Sequence, residues 1–170
     1  MDKTIKNYSF FQGFYLGFIL LVIINIFYFL DSASIMPVFN LYSCVSMFLL
    51  LIFPIFSIYK FHFQENQIIF KNYFSICFIV MSVALFISTF YFYCLYNFID
   101  SDLIDQYVEI QYAQCLSNPH CNLSFEESLD LYKNDYFSIN GQFQSYVFSL
   151  IPCTLYSSII SLFVKTFREL

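Results

Sequence analysis

Four apolar stretches constrain this chain more than any other feature. They run over residues 10–30, 38–59, 73–96 and 146–164, and none holds Asp, Glu, Lys, Arg or His. About 20 apolar residues in a helix match the ~30 Å hydrocarbon core of a bilayer. Inside lipid the backbone must satisfy its own hydrogen bonds, so runs of this length form helices. The expected fold is therefore all-α. It is a single polytopic membrane domain over residues 1–170, a bundle of four transmembrane helices with an amphipathic helical outer loop over 99–141. Composition agrees, with 59% apolar and 11% charged residues, against about 25% charged in globular chains. Lipid is the expected solvent and partner for much of this surface. No basic run points to nucleic acid.

The first run follows Lys3 and Lys6, as a cleaved signal peptide would. It is too long for a signal h-region of about 7–15 residues, and Asp31 near Ala33 fits the small-residue cleavage pattern poorly. It reads as a retained anchor.

Charge sets the expected orientation. Lys3, Lys6, Lys60, Lys71, Lys165 and Arg168 flank the spans on one side, and of the seven basic residues Lys133 alone lies on the other. Lys and Arg favour the cytoplasmic side, so both termini are expected there. Asp100, Asp102, Asp105, Glu109, Glu126, Glu127, Asp130 and Asp135 all fall in the opposite, outer loop.

Gly13 and Gly17 form a G-x-x-x-G spacing, which places two glycines on one face and lets another helix approach closely. Packing against a span of the same chain is the expected role, with a homodimer contact as the alternative. Pro152, Ser157 and Ser161 in the last span join them as candidate packing residues. Ser157 and Ser161 share a face, and neighbouring Ser and Thr hydroxyls can satisfy carbonyls freed by Pro. Tyr is expected at the headgroup level. With 25 Phe, 15 Tyr and no Trp, the aromatics are assigned to belts and compositional bias, with no ligand role.

An intramembrane charge is the usual mark of an ion path, and the four runs carry none. No catalytic, cofactor-binding or metal-binding residue is assigned and no cofactor is expected. The leading reading is a non-catalytic accessory or interaction protein with a membrane-protein partner. A membrane thiol–disulfide oxidoreductase and a small neutral-solute transporter or channel are the alternatives.

The outer loop has two helical halves. Leu103, Ile104, Tyr107 and Val108 share one apolar face. The third span either continues into this helix or breaks near Asp100-Ser101-Asp102, whose residues suit an N-cap. Ser124-Phe125-Glu126-Glu127 matches a capping box, and this second helix is expected to end before Asn140-Gly141. Both halves are expected to cover the bundle's outer end. Between them, Cys115 and Cys121 are a candidate disulfide for an oxidising compartment. The alternatives are two free thiols or a metal held with His120. Three ligands fall short of the four in structural zinc sites. Asn122-Leu123-Ser124 matches a glycosylation sequon.

The layout resembles a family of short bacterial inner-membrane proteins catalogued only as a domain of unknown function. Gly13 and Gly17 carry the likeness, with Ile58-Tyr59-Lys60 leading to Ile69-Phe70-Lys71. So do Phe148-Ser149-Leu150-Ile151-Pro152, Ser158-Ile159-Ile160-Ser161 and the basic tail. The resemblance implies a multi-pass inner-membrane protein and leaves its activity open.

Overall fold

The computed structural model describes residues 3–30, 35–36, 41–62, 69–116 and 124–168. Six helices follow one another, and no strand occurs among the described residues. They are α1 Lys3–Leu30, α2 Leu41–His62, α3 Phe70–Cys94, α4 Asp102–Leu116, α5 Phe125–Leu131 and α6 Ile139–Arg168. A π-turn, Leu95–Ile99, extends α3, and another, Tyr132–Tyr136, extends α5.

Helices α1, α2, α3 and α6 are long and apolar enough to cross a membrane. Their outward faces carry exposed side chains such as Phe11, Phe18, Phe48, Phe148, Leu155 and Leu162. Soluble monomers rarely expose contiguous apolar patches above a few hundred Å². These faces belong in lipid, and the protein is a multi-pass membrane protein.

Helix α3 is the hub, packing against α1, α2 and α6, with α1 also touching α2. Its membrane-spanning stretch is the most buried of the four, while α2 and α6 are both largely exposed. Lipid tails drive no hydrophobic association, so small residues and hydroxyl contacts set the seams. Gly13 faces Val83 and the Val80 carbonyl, and Gly17 faces Ile87. The glycine pair thus packs within the chain, against α3.

On α6, Cys153, Ser157 and Ser161 lie four residues apart on the buried face. Ser161 Oγ donates to the Ser157 carbonyl at 2.6 Å, which satisfies the hydroxyl inside its own helix. Pro152 differs from the expected packing role. It points to the exposed side of α6, because the buried face is carried by the neighbouring Cys153 row. The Tyr156 hydroxyl crosses to the Leu51 carbonyl on α2, tying α6 to the bundle.

Two cores result. One fills the bundle from Ile5, Phe61 and Tyr73 up to Leu20 and Ala84. The other sits at the end where α4 and α5 lie, built around Ile24, Tyr96, Leu103, Val108 and Phe137. That second core makes the α4–α5 segment a docked cap.

Several boundaries differ from the sequence expectation, and α1 begins at Lys3, seven residues before the expected Phe10. Helix α2 runs to His62, three residues past the expected Tyr59. Helix α6 begins at Ile139, seven residues before the expected Tyr146. Asn140-Gly141 therefore lies in the first turn of α6 and does not terminate the preceding helix. Ser138 supplies the physical reason, since its Oγ accepts from the Gly141 amide at 3.1 Å as an N-cap.

Candidate functional site

The capped end is where polar groups and cavities converge. Helix α3 ends in the π-turn, with the Asp100 amide donating back to the Leu95 carbonyl at 2.8 Å. Such turns occur frequently at functional sites. Asp100 and Ser101 then break the chain before α4, as the N-cap residue types suggested. Asp102 and Asp105 occupy the first turn of α4, where negative charge suits the helix dipole.

Helix α4 buries Leu103, Ile104, Tyr107 and Val108, the face that periodicity indicated. Phe137, fully buried, packs edge-on against Tyr96 at 4.9 Å and Tyr107 at 5.4 Å. Asn97 Nδ2 donates to the Tyr93 and Phe137 carbonyls, both at 3.0 Å. One side chain thus joins the end of α3 to the cap. Tyr28 donates to the Asp100 carboxylate at 2.8 Å, and Tyr91 to Asn25 Oδ1 at 2.7 Å, linking α1 to the same region.

Helix α5 opens on the expected capping box. Ser124 Oγ accepts from the Glu127 amide at 3.2 Å, and Glu127 accepts from the Ser124 amide at 2.9 Å. The Ser124 amide and hydroxyl hold the Glu127 carboxyl below its ordinary value. The helix gives way to the π-turn at Tyr132, so the second loop helix is shorter than its spacing suggested.

The junction into α6 is unusually tight. Gly141 sits against the Asp135 and Tyr136 carbonyls, where a Cβ would collide with backbone. No described glycine has positive φ, so close approach, and not left-handed geometry, requires glycine here. Gln142 is 8% exposed and donates from Nε2 to the Tyr136 carbonyl at 3.0 Å. Neither role was apparent from sequence; the signal was Ser138 three residues before Gly141, an N-cap spacing.

Tyr107 lies between Tyr132, Tyr136 and Phe137. Burial, reinforced by Tyr136 and Tyr132, pushes its hydroxyl up to about 12. A raised pKa means that ionisation opposes docking. The stabilisation is complete below the ordinary value of about 10 and is lost as pH rises through about 12. Alkaline titration should therefore release the cap with Tyr107 ionisation near the top of this window. In Tyr107→Phe that tyrosinate absorbance step should disappear.

Cys115 is disulfide-bonded, while Cys44, Cys77, Cys94 and Cys153 are free thiols. Cys121, with His120 and Asn122, lies outside the described residues. Among the described residues no three His, Cys, Asp or Glu side chains are grouped to hold a metal.

Besides an open cavity of about 600 Å³ against Asp135, Gly141 and Phe148, two smaller cavities lie near the start of α6. One of about 270 Å³ is almost wholly apolar and lies between α3 and α6, lined by Phe86, Phe90, Phe143 and Tyr146 among others. The other, about 190 Å³, lies beneath the cap against α2 and α3, with Tyr42, Phe92, Tyr96, Tyr136 and Gln142 in its wall.

Residues 7–166 match the model of a family described as a protein of unknown function (DUF4199). No curated protein matches the chain. No solved structure matches it either.

Proposed function

The chain belongs to this family of unknown function, and from that premise we propose that it is a non-catalytic accessory or interaction protein of the bacterial inner membrane. Both termini are cytoplasmic and the cap faces outward. The observation that carries this reading is the cap itself. It is docked by a buried core and presents Asp102, Asp105, Gln106 and Glu109 outward. A fixed acidic surface of this kind suits recognition of a membrane-protein partner.

Affinity purification in mild detergent tests it. A stoichiometric protein partner should co-purify, and the double reversal Asp105→Lys with Glu109→Lys should release it. A chain that purifies alone with one bound quinone would contradict the reading and favour thiol–disulfide exchange.

The proposal includes a Cys115–Cys121 disulfide between the cap helices, supported by the bonded state of Cys115. The enclosed loop is short, so its stabilisation is at most about 3 kcal/mol in the chain-entropy model. Mass spectrometry of non-reduced peptides should recover the two cysteines linked. Recovery of both as free thiols would disprove the pairing.

A further inference from the structure

The cavity of about 190 Å³ beneath the cap has a wall of four aromatic rings contributed by three separate elements: Tyr42 from α2, Phe92 and Tyr96 from α3 and its π-turn, and Tyr136 from the second π-turn. Phe92 and Tyr96 are stacked at 5.7 Å and 13°. Tyr42 stands across Phe92 at 5.8 Å and 73°, so these rings form a corner. Tyr107 stacks on Tyr136 at 6.0 Å and 11°, steadying the fourth ring from the cap core. The Tyr96 hydroxyl is held by the Ile35 carbonyl at 3.1 Å, which fixes that ring.

The polar groups in the wall are acceptors or neutral. Gln142 has its amide nitrogen committed to the Tyr136 carbonyl, leaving the amide oxygen as its acceptor. No Lys, Arg or His is among the lining residues described. At roughly 30 Å³ per water the cavity equals about six waters, below the 300–1,000 Å³ typical of drug-sized sites.

Ring faces attract cations through their quadrupole, and aromatic cages recognise quaternary ammonium groups. We infer that this cavity binds a small organic ammonium group, with Tyr42, Phe92, Tyr96 and Tyr136 as its cage. The assignment goes beyond the interaction role above and does not depend on it. Two sources carry this chemistry, a soluble ammonium compound and a lipid headgroup.

The test uses the full chain in a neutral maltoside detergent, with titration calorimetry and tyrosine fluorescence as readouts. Choline should bind saturably, and its neutral isostere 3,3-dimethylbutan-1-ol should bind at least about tenfold more weakly. Phe92→Leu, which keeps apolar volume and removes a ring, should weaken choline to a similar degree. The isostere comparison needs no variant, so misfolding of Phe92→Leu leaves the test intact. Equal binding of choline and the isostere would overturn the assignment, as would no saturable binding of choline. Where choline binds, competition names the source. A short-chain phosphatidylcholine that displaces choline at lower concentration than choline itself identifies a lipid headgroup, and the reverse order identifies a soluble compound.

Discussion

Replacing Gly141 by Ala is expected to undock the cap. At an ordinary helical position the change would stabilise the chain by up to about 1 kcal/mol, since Ala is the better helix former. Here the new Cβ meets the Asp135 and Tyr136 carbonyls. Both are backbone atoms, so no flexible side chain can yield. The Asp135 carbonyl is also engaged by the Ser138 hydroxyl at 2.8 Å, and Gln142 holds the Tyr136 carbonyl. Moving either disturbs the cap of α6 as well. Overpacking costs of about 1–3 kcal/mol outweigh the propensity gain, so the sign should be destabilising. Hydrogen exchange should accelerate across α4 and α5 while α1 and α3 stay protected. A neutral or stabilised Gly141→Ala would show that the junction is looser than described.

Gly13→Leu is expected to have a comparable or larger effect, on the bundle and not on the cap. A Cβ at residue 13 would stand 2.7 Å from Val83 Cβ and 3.0 Å from the Val80 carbonyl. Val is stiff at χ1, and the carbonyl belongs to the α3 backbone, so the helices must separate. Gly17→Ala should be milder. Its nearest neighbour is Ile87 Cδ1 at 2.7 Å, the far end of a side chain that can rotate. The expected order of unfolding resistance in detergent is wild type, then Gly17→Ala, then Gly13→Leu, with the last weaker by about 3 kcal/mol. Loss of a dimer without loss of monomer stability would instead assign the glycines to an interface between copies.

Much of this architecture is legible in the sequence because its signals are local. Uncharged runs mark the spans, alternation marks the buried face of α4, and Ser124 with Glu127 marks the start of α5. The glycine spacing identifies a packing face but not the helix that receives it. That α3 is the hub depends on how four similar apolar surfaces share contacts, and no single run encodes this. The π-turns were likewise invisible. Residues 95–99 continue an apolar helical pattern, while Asn97 there reaches the Phe137 carbonyl, forty positions away. Pro152, named among the packing residues, lies on the exposed side of α6, about 100° around the helix from Cys153. The aromatic cavity was hidden for the same reason. Its rings come from three distant segments, and each looks alone like part of an interfacial belt.

The proposed arrangement is a four-span bundle with its cap outside the membrane and both termini cytoplasmic. Thiol labelling in intact cells tests it most directly, with Cys44, Cys77, Cys94 and Cys153 replaced by Ala. Lys133 and Lys60 are both exposed, one on the cap and one at the opposite end of the bundle. An impermeant maleimide should label Lys133→Cys in intact cells and Lys60→Cys only after permeabilisation. Labelling of Lys60→Cys in intact cells, with Lys133→Cys protected, would reverse the orientation and contradict the claim.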